Sequence, residues 1–217
     1  MKIYYCFGCS DKAGQKTGHA AGYALLSYAL KKEYQIDTLP KIEKGRYGKP
    51  FFPVYPQIHF NISHCNGMAA CILAEKEVGI DTEKKRQVNF SLIKKALTEQ
   101  ERKTLQNISK EQFEMSFLQY WTLKESFIKA IGRGLSFPLE EIEFYLTKSQ
   151  TVQTLYPLFK EQAPILLIST PILSNQSDWQ FVQFYLKDNY FLSVCFHKEE
   201  PLCQEQNWLQ AVQEVLF

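Results

Sequence analysis

What this chain lacks narrows its possible roles first. Its formal net charge is only +2 over 217 residues, so no strong basic field calls for nucleic acid. No apolar run approaches the roughly 18 to 20 residues that a membrane-spanning helix needs. The first residues, Met1-Lys2-Ile3-Tyr4-Tyr5-Cys6-Phe7, are too short a run and too soon polar for a signal peptide; they read as a first β-strand. Neither Gly-x-x-x-x-Gly-Lys-Ser/Thr nor Gly-x-Gly-x-x-Gly occurs, so the common nucleotide-binding loops find no support. No Gly-x-Ser-x-Gly elbow is present, and no low-complexity tract or short-period repeat.

The six cysteines do not make a zinc set. Cys6 and Cys9 form one Cys-x-x-Cys pair, with no second close pair or His pair to complete it. Cys65, Cys71, Cys195 and Cys203 are scattered, and Cys71 and Cys195 fall in apolar runs, as buried thiols do in a reducing cytoplasm. A redox or metal role for Cys6 and Cys9 is the alternative.

What is present points to a folded α+β chain. Aromatic residues make up 14%, enough to fill a core and to argue against disorder. Helical spacing runs over residues 17–34, through Tyr23, Leu26, Ala29 and Leu30, and again over 110–131, where Gly132-Arg133-Gly134 ends it. Thr98-Glu99-Gln100-Glu101 fits a capping box with Thr98 as N-cap. The segment 39–56 holds four prolines and two glycines and reads as irregular chain. Short β-type runs fall at 58–62, 68–74 and 78–81, the first two joined by an Asn66-Gly67 tight turn. Others fall at 142–146, 165–169, 181–186 and 190–196, with Asp188-Asn189 as a further turn. Residues 205–217 read as a short amphipathic helix. This order suggests two comparable halves, 1–77 and 78–217.

Four segments carry chemistry. Val78-Gly79-Ile80-Asp81-Thr82-Glu83 ends an apolar strand in two carboxylates spaced by two, which therefore share a face. Such a pair suits Mg²⁺, which takes one or two carboxylates together with substrate phosphates; a solvated strand end facing Lys84, Lys85 and Arg86 would be written the same way. On the helix, Trp121, Glu125 and Lys129 form one stripe at i, i+4 and i+8. The order Glu125 then Lys129 is also that of a surface ion pair, but the tryptophan places the stripe on a partly buried face. Asn61-Ile62-Ser63-His64-Cys65 ends a strand and enters a turn, where a hydroxyl and an imidazole suit phosphate; a turn merely capped by Asn and Ser is the plainer reading. Gly48-Lys49-Pro50, preceded by Lys44 and Arg46, is either a phosphate- or base-facing loop or an ordinary basic one.

In this order and spacing the four segments resemble the signature of Sfp-type 4′-phosphopantetheinyl transferases, a likeness that spans about residues 45–145 and includes Gly132-Arg133-Gly134-Leu135-Ser136. The resemblance implies a pseudo-dimer of two similar halves, each a small antiparallel sheet packed with a long helix, with coenzyme A in the cleft between them. It implies an Mg²⁺-dependent transfer of phosphopantetheine from coenzyme A to a serine of an acyl or peptidyl carrier protein. By similarity, Asp81, Glu83 and Glu125 hold Mg²⁺. Arg46, Gly48, Lys49, Pro50, Asn61, Ser63, His64 and Lys129 contact coenzyme A. Glu125, Lys129 and His64 carry catalysis. The same reading makes the protein a cytoplasmic monomer with neither nucleic acid nor membrane among its partners. Lys124 and Arg133, with apolar residues around Phe117 and Leu118, are expected to help form the face that docks the carrier.

One departure stands out. The family commonly places an arginine early in the first long helix, against the 3′-phosphate of coenzyme A, whereas Thr17-Gly18-His19-Ala20-Ala21-Gly22 has none. His19, Lys16 or Lys12 would have to substitute. Two alternatives follow: a relative that binds coenzyme A or a carrier without turnover, and a different Mg²⁺-dependent phosphate enzyme. The second lacks the further carboxylates that two-metal sites need.

Overall fold

The Asn66-Gly67 turn forms as its residues require. Gly67 sits at φ 91°, in the left-handed region where a side chain is strained, and Cys65 faces Met68 across the hairpin it closes. In this computed structural model the described residues are 1–9, 17–106, 108–146, 153–155, 165–169, 172–173, 178–187, 190–200 and 212–216. Their elements run β1 (Lys2–Cys9), α1 (Thr17–Tyr34), β2 (Glu43–Lys44), β3 (Pro50–Phe51), β4 (His59–Cys65), β5 (Gly67–Ala74) and β6 (Val78–Lys84). Then come α2 (Phe90–Ala96), α3 (Glu99–Thr104), α4 (Lys110–Ile131) and two 3-10 turns, Gly134–Ser136 and Leu139–Glu141. The remaining strands are β7 (Phe144–Tyr145), β8 (Gln153–Leu155), β9 (Ile165–Ser169), β10 (Ile172–Leu173), β11 (Trp179–Leu186), β12 (Tyr190–His197) and β13 (Val212–Glu214).

Two sheets dominate, ordered β13-β1-β5-β4 and β6-β12-β11-β9-β8. Period-two alternation builds their layers. From β1 and β5, Ile3, Tyr5, Met68, Ala70 and Ile72 meet Val182, Phe184, Leu192 and Val194 of the second sheet in one core. The alternate residues Tyr4, Cys6, Ala69, Cys71 and Leu73 turn to α1, against Leu25, Leu26, Ala29 and Leu30. On the far side of the second sheet, Phe181, Phe191 and Cys195 pack under α4. The order is helix, sheet, sheet, helix, an α+β architecture whose two antiparallel hairpin systems each carry one long helix.

Local signals set the helices. Thr98 and Ser109 both close full capping boxes, with Glu101 and Gln112 as their reciprocal partners. Gly132, at φ 68°, ends α4 in the left-handed conformation. Two expectations are corrected. Ser63 and His64 do not enter a turn, because β4 continues to Cys65 and pairs with β5 throughout. Val212–Glu214 lies not in a helix but in a strand that pairs parallel with β1, using its open edge; residues 205–211 and the Asp188-Asn189 turn lie outside the described residues. Among the described residues, no helix is long and apolar enough to cross a membrane.

The Cys6 and Cys9 thiols are buried, free and 3.4 Å apart, and among the described residues no further His, Cys, Asp or Glu joins them in a metal-holding group. Burial raises the thiols of Cys65, Cys71 and Cys195 above the usual range. The unfolded chain ionises such thiols from about pH 8.5 upward, while the folded protein keeps them protonated. Folded protein then binds more protons, so stability present below that pH is lost above it, by up to ~1.4 kcal/mol per thiol per pH unit. Lys49 and Lys124, whose amines burial lowers, work in the opposite sense, but the three thiols outnumber them. The urea midpoint should therefore fall steeply between about pH 8.5 and 10, and a Cys71→Ala/Cys195→Ala variant should show a shallower fall.

Candidate active site

Among the described residues, strand β6 is the last strand of its sheet and has β12 on one side only. α4 lies across it so closely that a Cβ on Gly79 would stand 2.0 Å from the Ser126 carbonyl oxygen and 2.5 Å from the Ala130 nitrogen. No side chain fits there, which accounts for the glycine that precedes the two acids. This contact carries α4 over β6 and brings Lys129 to Asp81.

Lys129 Nζ stands 2.6 Å from Asp81 Oδ1 and also donates to Ser63 Oγ at 3.0 Å and to the Ile80 carbonyl at 3.2 Å. Ser63 Oγ donates to Asp81 Oδ1 at 2.9 Å and accepts from the Thr82 N–H at 3.2 Å. Asn61 Oδ1 accepts from the Ile80 N–H at 3.0 Å. Glu83, two residues beyond Asp81, is held by the Arg86 guanidinium, with both contacts at 3.3 Å. Trp121, Glu125 and Lys129 are the half-buried residues in a stretch of α4 whose other members, from Thr122 to Ala130, are buried. The stripe is thus the half-buried edge of this stretch of the helix.

Glu125 is the outlier. Its Oε1 is buried and makes no hydrogen bond. Burial, with the Asp81 charge next in weight and Glu83 adding, pushes its carboxyl up to about 7 against the opposing pull of Lys129. Oxygen donors of this kind suit a hard divalent cation, and the orphaned buried acceptor is on one of the three acids, Asp81, Glu83 and Glu125, that the resemblance gives that role. Among the described residues no three of His, Cys, Asp and Glu stand together as a ready cation cage. Lys129 on Asp81 and Arg86 on Glu83 place positive charge beside two of the acids.

A cavity of about 340 Å³ opens beside this cluster, lined by His19 and Tyr23 of α1, Lys44, Tyr47, Gly48, Lys49 and Pro50 of the basic loop, Asn61 and His64 of β4, and Lys129. The His64 ring is exposed and lies over Gly18, whose Cβ would meet it at 2.8 Å. The His19 ring lies tilted against Tyr23 at 4.9 Å between ring centroids and stands edge-on to His64 at 6.3 Å. Arg46 is exposed, over the Tyr47 ring, and does not line the cavity. Lys49 lines it with its stem while its ammonium turns inward, to the carbonyls of Val78 and Ala130. Lys12 and Lys16 lie outside the described residues.

Lys124 does not face a partner. It is 0% exposed and bonded to Glu101 Oε2 at 2.5 Å and to the carbonyls of Ala96 and Leu139 at 2.6 and 3.1 Å. Phe117 and Leu118 are equally buried in the core beneath α4, so of the residues named for a docking face Arg133 is the exposed one. Sequence reasoning missed Tyr23 and Tyr47 as cavity residues. Tyr23 looked like one more apolar position of α1, and only the missing arginine nearby hinted at an open wall.

A family model described as the 4′-phosphopantetheinyl transferase superfamily matches residues 77–213. The chain is 34% identical over 145 residues to the 4′-phosphopantetheinyl transferase gsp of Aneurinibacillus migulanus, covering 64% of this chain and 60% of that protein. It is 32% identical over 137 residues to the 4′-phosphopantetheinyl transferase Sfp of Bacillus subtilis, covering 63% and 61%. A human L-aminoadipate-semialdehyde dehydrogenase-phosphopantetheinyl transferase matches at 30% over 177 residues, covering 74% and 54%. The chain thus spans less than two thirds of these relatives' lengths.

Proposed function

The chain belongs to the 4′-phosphopantetheinyl transferase superfamily, and on that premise we propose that it moves 4′-phosphopantetheine from coenzyme A to a serine of an apo acyl or peptidyl carrier protein. Adenosine 3′,5′-bisphosphate is the second product. One observation carries the reading: side chains from β4, β6 and α4 meet in the Ser63–Asp81–Lys129 cluster, whose lysine lines a cavity bordered also by the basic loop and α1.

The carrier serine oxygen attacks the β-phosphorus of coenzyme A as the bond from that phosphorus to the bridging oxygen breaks. Such a transfer depends on positioning and on neutralising charge. Lys129 and His64, both on the cavity wall, face the phosphate oxygens. The backbone of Gly48 and Pro50 borders the nucleotide, with Arg46 at its rim. Asp81, Glu83 and Glu125 are the residues that would hold Mg²⁺, which when bound supplies positive charge to the pyrophosphate oxygens. Glu125, one turn before Lys129 and with an uncommitted carboxylate oxygen, takes the serine proton. His19 stands in for the absent arginine, so His19→Ala should narrow the difference in affinity between coenzyme A and its 3′-dephospho form. Equal discrimination by both proteins would remove His19 from the site. In this reading the protein works as a cytoplasmic monomer.

The deciding experiment is the intact mass of a purified apo carrier protein after incubation with this protein, coenzyme A and Mg²⁺. A gain of one phosphopantetheine group that requires the metal is the expected result. Unchanged mass across several carriers, with coenzyme A binding still measurable, would leave a binding protein without turnover.

A further inference from the structure

Among the described residues, the free edge of β6 presents backbone groups that no neighbouring strand meets. Side chains meet four of them. Asn61 and Ser63 accept from the N–H groups of Ile80 and Thr82, and Lys49 and Lys129 donate to the carbonyls of Val78 and Ile80. Two of these four residues have evident business at the acid cluster. Lys49 has other partners: its Nζ lies 3.2 Å from the Val78 oxygen and 2.5 Å from the Ala130 oxygen. Ala130 is in the last turn of α4, where carbonyls have no partner within the helix and the dipole favours a cation. The lysine stem runs over Gly132, where a Cβ would stand 3.1 Å from Lys49 Cδ. One ammonium therefore joins β6 to the end of α4, three residues before Asp81 on the strand and one residue after Lys129 on the helix.

We propose that Lys49 is a positioning residue for the transfer inferred above, on which this inference rests: it locks β6 to the last turn of α4 and so sets the meeting of Asp81 with Lys129, and it does not itself bind phosphate. The loop that carries it, between β2 and β3, thereby couples the cavity rim to the acid cluster. Tilting two elements by a fraction of an ångström at this joint displaces the groups that must align at phosphorus, and misplacement of that order costs transfer rate more than binding.

The test separates binding from turnover in Lys49→Met, which keeps the stem and removes the donor. Coenzyme A affinity, measured calorimetrically without metal, should stay within about threefold of wild type, with the same dependence on salt, while kcat falls on the order of tenfold to a hundredfold. A loss of affinity with a salt slope shallower by about one charge would make Lys49 a phosphate ligand and overturn the proposal. An unchanged kcat with lower stability alone would overturn it too. If Lys49→Met does not fold, Lys49→Arg makes the distinction. A ligand would tolerate the retained charge, whereas the bulky planar guanidinium cannot replace an ammonium between two carbonyls, so kcat should fall with affinity preserved. A wild-type protein that binds coenzyme A but transfers nothing overturns the function rather than the joint. In that case a Lys49→Met protein of wild-type affinity and salt slope, but with faster amide exchange along β6 and the end of α4, supports the joint, and unchanged exchange refutes it.

Discussion

Lys124→Ala should destabilise the protein by about 3–5 kcal/mol, the penalty for stranding one member of a buried ion pair. Lys124 and Glu101 are 0% and 1% exposed, so water cannot take over for either. The pair is also the node of a wider net. Glu101 accepts from the backbone N–H of Thr98 and of Phe144, and Lys124 donates to the carbonyls of Ala96 and Leu139. Burying this lysine costs solvation, as the downward push on its amine records. The cost is met because every donor finds an acceptor, and because α2, α3, α4 and the 138–144 segment are fastened at one point. For the same reason, an apolar replacement of both partners would not be benign, since the Thr98 and Phe144 N–H groups and the Ala96 carbonyl would lose the partners they have here, while the Leu139 carbonyl would keep the Ile142 N–H. Urea unfolding measures the loss, and kcat per folded molecule should stay near wild type. A stability change below about 1 kcal/mol with a large fall in carrier modification would return Lys124 to a partner-facing role.

That misassignment shows where sequence stopped being informative. The stripe of Trp121, Glu125 and Lys129 followed from helical geometry alone, and the structure leaves it as the half-buried edge of α4. Lys124 is one residue from Glu125 and thus about 100° around the helix, which takes it off the stripe. A charged letter there was read as exposed because its buried partner, Glu101, lies 23 residues away and was legible only as a capping residue. Strand existence was legible from alternation, and Gly132 and Thr98 marked helix ends that the structure keeps. Strand order was not legible. Nothing local in Val78–Lys84 says which of its edges is open, so the inward turn of Lys49 and the edge-capping of Asn61 and Ser63 had no signal of their own. Val212–Glu214 erred for a related reason: three residues cannot distinguish periods, and the open edge of β1 decided the outcome.

Glu125→Gln should reduce kcat for carrier modification by about 10²–10⁴-fold, the usual range for losing a positioned general base. Glutamine fills the same space, so coenzyme A binding should change little in the absence of metal, and the cavity wall at Lys129 and His64 stays intact. The variant should at the same time be more stable than wild type in metal-free buffer. Glu125 is a largely buried carboxylate beside Asp81 and Glu83, with one oxygen that has no hydrogen-bond partner, and a neutral amide removes both the desolvation and the like-charge repulsion. Opposite signs for activity and stability are what a functional acid in a protein-disfavoured position predicts; a structural acid would lose stability on substitution. Near-normal turnover in Glu125→Gln would assign the serine proton to another acceptor. A simultaneous loss of activity and stability would mean that Glu125 holds α4 in place rather than acting on the substrate.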